Sequence, residues 1–66
     1  MNVQLNGKTT ELDGIRTVGD LIRSKELKPR MVAVELNGEI LPRERFDETE
    51  LKEDDQLEVV HFVGGG

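Results

Sequence analysis

Asn-Gly occurs twice in this chain, at 6–7 and 37–38, and each time it sits between short runs of alternating apolar and polar residues. Both residues of the pair tolerate positive φ, which a tight two-residue hairpin turn demands. Residues 1–5, MNVQL, place Met1, Val3 and Leu5 on one face and Asn2 and Gln4 on the other. That period of two is the signature of a half-buried strand. Residues 8–12, KTTEL, form its return partner, with Thr10 and Leu12 inward, and Asp13-Gly14 closes the hairpin. The second pair joins MVAVEL (31–36) to a short strand at 39–41, which Pro42 ends. In the longer strand Val32, Val34 and Leu36 point inward, while Ala33 and Glu35 point outward.

One helix separates the hairpins. Thr17 and Asp20 have the spacing of a capping box, in which each side chain satisfies a backbone N–H at the helix start. Val18, Leu21 and Ile22 share one face. Lys25 and Lys28 lie near the negative end of the helix dipole, and Asp20 near the positive end. The helix is expected over 18–26, with Pro29 forbidding continuation and Gly19 weakening the first turn by about 1 kcal/mol against alanine. Residues 43–56 are mostly charged, with Phe46 and Leu51 as isolated anchors, and are expected to form a loop with a short 3₁₀ turn. Residues 57–62, LEVVHF, are the last strand.

The order β-β-α-β-β-β implies an α+β fold, a mixed sheet of four to five strands with one helix packed on one face. A single helix covers one face of such a sheet, so the other stays open to a partner. If Leu57 and Val59 face the helix, then Glu58, Val60 and Phe62 face outward beside Ala33 and Glu35. These five residues are the expected partner-binding surface, because aromatic and aliphatic anchors dominate interfaces.

With 66 residues and no cysteine, neither a disulfide nor a zinc-thiolate site can hold the chain together. One domain at 1–63 is expected, followed by a flexible glycine tail at 64–66. The net charge of −5 argues against nucleic acid, whose phosphates reward clustered Lys and Arg. No apolar stretch approaches the ~18 residues of a membrane span, and no secretory signal opens the chain. A cytoplasmic location fits both features.

The candidates for catalysis are sparse. His61 is the only histidine, Ser24 stands alone on the helix, and a triad would need both beside an acid. His61 is expected to be a sheet-edge or partly buried residue. Glu48, Glu50, Glu53, Asp54 and Asp55 form an acidic run without calcium-loop spacing, read as a solvated loop. Arg43 has carboxylate pairing open to it, within the chain or on a partner.

The chain ends in HFVGGG. Glycine has no Cβ to limit φ, so such a tail can thread a narrow channel and leaves its last carbonyl carbon unhindered. A carboxylate resists nucleophiles until it becomes a mixed anhydride. That activation needs an ATP site with Mg²⁺ and cationic groups, yet this chain has no phosphate-binding loop. Another protein must therefore activate the end.

VQLNGK, VELNGEILPRERF and DQLEVVHFVGGG together resemble the ThiS family, sulfur carriers of thiamine biosynthesis with the ubiquitin-like β-grasp fold. The resemblance implies a protein co-substrate, not an enzyme, and no bound cofactor. Gly64, Gly65 and Gly66 would form the reactive tail. The Gly66 carboxylate would be adenylated by an E1-like adenylyltransferase using ATP-Mg²⁺, then converted to a thiocarboxylate with sulfur from a donor protein and consumed by a thiazole synthase. The alternatives are a sulfur carrier for molybdopterin synthesis or another thiolation pathway, a conjugating modifier, and a ubiquitin-like interaction module with a silent tail.

Overall fold

Asn6 and Asn37 take φ of 50° and 52°, and Gly7 and Gly38 follow at 81° and 87°. Positive φ at both central residues defines the turn type that matches strand twist, so both Asn-Gly pairs close hairpins as their chemistry dictates. The computed structural model describes residues 1–63; the glycine tail at 64–66 lies outside the described residues. Strands β1 (Asn2–Leu5), β2 (Lys8–Glu11), β3 (Val32–Leu36), β4 (Glu39–Leu41) and β5 (Gln56–His61) and one helix, α1 (Val18–Ser24), occur in the expected order. The five strands form one mixed sheet in the order β2-β1-β5-β3-β4. The first and last strands therefore lie side by side at its centre, where β1 runs parallel to β5.

The helix covers one face. Val18, Leu21 and Ile22 are buried against Val3, Val34 and Leu57 from the sheet, and Phe46 and Leu51 close the core from the charged segment. Alternation decides which strand residues join: Val32 and Val34 are buried while Ala33 and Glu35 are exposed. The expected 3₁₀ turn occupies Arg43–Glu48 with Phe46 as its buried residue. Beyond it, Val18 N donates to Thr49 O at 3.0 Å and Leu51 N to Arg16 O at 2.9 Å, strapping this segment to the helix start.

The capping box is complete. Asp20 N donates to Thr17 Oγ1 at 3.0 Å and Thr17 N donates to Asp20 Oδ2 at 3.1 Å. The backbone donors of Thr17 and then Arg16, followed by the Arg23 side chain, hold the Asp20 carboxyl below the usual carboxylate value. A carboxyl depressed in the folded state contributes stability above its unfolded pKa of about 3.9 and loses it as pH falls toward the lower folded value. In acid titrations followed by circular dichroism, Asp20→Asn is expected to flatten the loss of stability below about pH 4.

One helix expectation is corrected: α1 ends at Ser24, not at residue 26, and proline is not the cause. Glu26 adopts φ of 59°, Glu26 N donates to Arg23 O at 2.9 Å, and Leu27 N donates to Ile22 O at 3.1 Å. This paired bonding is the Schellman stop, normally built with glycine at the left-handed position. Pro29 instead starts a 3₁₀ turn at Pro29–Met31, which shortens the front of β3 by one residue. Glu26→Gly is expected to raise stability by about 1 kcal/mol, since the left-handed conformation costs a side-chain-bearing residue roughly that much. A thermal melt of the variant checks it.

Gly19, the weak position of the first turn, also faces a neighbour outside the helix. It is buried at the helix start, and a Cβ there would overlap Asp47 Oδ1. Asp47 accepts from Arg23 Nη1 at 2.8 Å, so a side chain at position 19 would push the exposed Asp47 carboxylate aside and disturb that pair.

The remaining boundaries differ by one residue. β1 starts at Asn2 and β2 ends at Glu11. β5 runs from Gln56 to His61, one residue earlier than expected. Phe62 lies just past it, its N–H still donating to Met31 O at 2.8 Å. Among the described residues no helix is long and apolar enough to cross a membrane.

Candidate functional site

The sheet face opposite α1 carries the side chains that the helix leaves uncovered. Its β2–β1 half is polar: Gln4 Nε2 donates to Thr9 Oγ1 at 3.0 Å across the hairpin. Its β5–β3–β4 half is different. Register sets Ala33 opposite Val60, Glu35 opposite Glu58, and Glu35 opposite Ile40 on the other side. Ala33, Glu35, Ile40, Glu58 and Val60 line a shallow depression of about 100 Å³. Ile40 is 78% exposed and Val60 56%. Four of the five expected docking residues thus share one patch.

Phe62, the fifth, is 50% exposed. It does not line the depression and does not pack on the core. Instead it stands beyond the patch on the segment leading to residue 63. Ile40 was missed because β4 is only three residues long, too short for alternation to assign its face. Its antiparallel pairing with Glu35 is what places it there.

Glu35 and Glu58 face each other in adjacent strands. Like charges directly opposite in a sheet destabilise it, so this surface holds an unfavourable contact at the rim of its apolar depression. No other acidic group of the sequence is placed so. Within the expected solvated loop, Glu53 Oε1 accepts from Asn2 N at 3.1 Å and Asp55 Oδ2 from Lys52 N at 2.8 Å. Asp55 Oδ1 also accepts from Asn37 Nδ2 at 3.0 Å, and Glu50 pairs loosely with Arg16 at 3.8 Å. Asp55 thus closes its own turn and ties it to the second hairpin, and Glu53 ties the segment to the start of β1. Arg43 is exposed and makes no ion pair among the described residues.

The strand that carries Glu58 and Val60 also leads to the tail. Its position is fixed by a long-range clamp: Val59 N donates to Asn6 Oδ1 at 2.8 Å, and Asn6 Nδ2 donates to Val59 O at 3.2 Å. The turn residue of the first hairpin thus substitutes for one more residue of β1 pairing. Asn6→Gly keeps the positive φ but removes the clamp. It is expected to cost about 1–2 kcal/mol for two hydrogen bonds in chemical denaturation, with faster amide exchange at Val59.

Of the two placements expected for His61, the sheet edge holds: it is exposed at the end of β5 and points to the helix side with Val59, away from Val60. Among the described residues His61 makes no ion pair, and Ser24 Oγ donates to Leu21 O at 2.7 Å within its own helix.

Comparison with known proteins matches this architecture. The ThiS family profile matches residues 3–66. The chain is 46% identical over 65 residues to the sulfur carrier protein ThiS of Bacillus subtilis, covering 97% of this chain and 98% of that one. It is 39% identical over 66 residues to a thiazole synthase of Magnetococcus marinus, all of this chain matching 20% of that longer protein. The crystal structure of the thiamine biosynthesis protein ThiS from Geobacter metallireducens superposes with a TM-score of 0.82 at 42% identity, over 100% of both chains. The five-stranded sheet with its single helix is the ubiquitin-like β-grasp, and the chain belongs to the ThiS family.

Proposed function

We propose that this protein is the sulfur carrier of thiamine biosynthesis, a co-substrate whose Gly66 carboxylate bears the sulfur. The observation that carries this reading is the family match, which runs through residue 66. It is supported by near-complete coverage of a relative named as a sulfur carrier. The domain at 1–63 presents the tail at 64–66, and β5, at the centre of the sheet, gives that tail a rigid base.

The chemistry follows from the carboxylate. An oxygen of Gly66 attacks the α-phosphorus of ATP and pyrophosphate leaves, giving an acyl-adenylate. Hydrosulfide then adds to the carbonyl carbon, AMP departs as the leaving group and the S–H proton passes to solvent, which leaves the thiocarboxylate. An E1-like adenylyltransferase supplies the ATP-Mg²⁺ site, and a sulfur donor protein delivers the sulfur, released as hydrosulfide from its persulfide by a thiol reductant. Gly64, Gly65 and Gly66 offer the enzyme no side chain to exclude.

A thiazole synthase is the acceptor. A segment similar to this chain forms a fifth of a protein named thiazole synthase, and a second such protein, from Paramagnetospirillum magneticum, matches at 35% identity. Carrier and synthase within one polypeptide is the arrangement expected of proteins that act on each other. Reconstitution with the adenylating enzyme, ATP-Mg²⁺, a sulfide source and thiazole synthase tests the reading. Thiazole must form only when this chain is present; formation at the same rate without it refutes the assignment.

The outer depression is the docking surface. Ile40, Val60 and Ala33 take an apolar knob of the partner, with Phe62 at its margin. Glu35 and Glu58 take a cation: a partner arginine or lysine between them replaces their mutual repulsion with attraction. The overall charge of −5 steers the same encounter. Nothing in this chain performs a catalytic step, and a cytoplasmic location suits a carrier that depends on ATP.

A further inference from the structure

β5 carries a second contact feature along one of its edges. Phe62 N donates to Met31 O at 2.8 Å, so residues 58, 60 and 62 turn their backbone groups toward β3. The odd-numbered residues turn theirs the other way, toward β1. Leu57 O accepts from Asn6 N at 2.8 Å, and the Asn6 side chain takes both backbone groups of Val59. There β1 ends in its hairpin turn. The pairing of β1 with β5 stops at Leu5 and Leu57, whereas that of β3 with β5 continues to Val32 and His61.

His61 is the next odd-numbered residue. Among the described residues nothing bonds its N–H or its C=O. Val63, two residues on, is 87% exposed. The central strand of the sheet therefore becomes an edge strand on one side, immediately before the tail. Natural edges are blunted by proline, by lysine or by a bulge, and none of these occurs between His61 and Val63.

The space beside this edge is shaped. On the helix side a groove of about 680 Å³ lies next to His61. Leu5, Leu27 and Val59 give it an apolar floor, and Lys8 and Lys25 stand among its walls. These two lysines, set against Glu11, make the groove locally basic in an acidic chain. The outer docking face has the opposite character, with Glu35 and Glu58.

We propose that an extended segment of the tail-receiving protein, thiazole synthase, adds to the sheet here as a strand paired with His61. The occupant is defined by the surroundings. Its backbone exchanges hydrogen bonds with the His61 N–H and C=O, as in strand addition generally. One side chain is apolar and enters the floor of Leu5, Leu27 and Val59, and a neighbouring one is a carboxylate within reach of Lys8 and Lys25. The added strand lies where a longer β1 would run, and it holds the start of the tail in extended form on its way to the active site. This inference rests on the carrier reading, since it needs a protein that receives the tail.

Amide exchange read by nuclear magnetic resonance tests it, using the ¹⁵N-labelled full chain with and without purified thiazole synthase. The His61 N–H is expected to slow by about tenfold or more in the complex, equivalent to about 1.4 kcal/mol. A chemically synthesised chain with an ester in place of the Val60–His61 amide loses that donor and leaves Val60 a weaker acceptor toward β3. It is expected to bind about tenfold more weakly after a small loss of stability read from its melt, while an ester in place of the Val59–Val60 amide, which spares the His61 donor, and His61→Ala, which keeps it, bind normally. A complex in which His61 exchanges as freely as in the isolated chain, and which the ester variant forms at full affinity, overturns the inference and leaves the carrier reading standing. Protection of His61 that grows with the concentration of this chain alone makes a second copy the occupant and also overturns it. Failure to form any complex with thiazole synthase removes the carrier-to-synthase reading and this inference together.

Discussion

Deleting Gly66 is expected to abolish sulfur transfer completely while leaving the fold untouched. The described core ends at Leu57, with Val59 packed partly against it, so removing one residue beyond 63 takes nothing from the sheet. The reacting carbon, however, is displaced inward by one residue, about 3.3–3.6 Å of extended chain. Misplacement of a reacting atom by even about 1 Å can cost a hundredfold, so adenylation should fall below detection. Thermal melts and amide spectra of the shortened chain should match those of the full one. Retained activity after this deletion would favour the interaction module with a silent tail. Isopeptide-linked products of the full chain would favour the conjugating modifier.

Val60→Asp is expected to weaken binding to the adenylating enzyme by about 30-fold or more, the loss typical of a central interface anchor. Three effects add. The apolar contact is lost, a carboxylate is taken into a depression otherwise shared with Ala33 and Ile40, and a third acid joins Glu35 and Glu58. The substitution is on the exposed face, so stability should change little. Titration calorimetry on the variant checks the affinity and a melt checks the fold. Affinity equal to that of the original chain would move the docking site elsewhere.

Local chemistry made much of this architecture legible. The two Asn-Gly turns, the Thr17–Asp20 box and the alternation in β3 and β5 each depend on residues within a few positions of one another, and all formed as their sequences imply. What escaped depends on distant contacts. The sheet order follows from β1 meeting β5 in parallel, which no local pattern encodes. Asn6 reads as a turn residue, yet its side chain also clamps Val59 across 53 positions. Gly19 reads as a helix defect until Asp47 is seen beside it.

The helix stop was hidden for a different reason. Glu26 occupies a position usually marked by glycine, so the bonding pattern had no sequence flag, and Pro29 drew attention instead. In the candidate site, Ala33, Glu35, Glu58 and Val60 could be placed because their strands are long enough to alternate. Ile40 could not, and only the β3–β4 register brings it to the patch. The glycine tail is legible in the last residues of the sequence, and the thiocarboxylate chemistry proposed for it rests on the likeness to the ThiS family.

Intact mass spectrometry is the most direct test of the sulfur-carrier assignment. The purified chain is incubated with ATP-Mg²⁺, an E1-like adenylating enzyme of the thiamine pathway and a sulfide source, then weighed and fragmented. The expected product has gained the mass of one oxygen replaced by sulfur, confined to Gly66 and dependent on ATP. An unchanged mass, with an enzyme that converts its own carrier in a parallel reaction, would contradict the assignment.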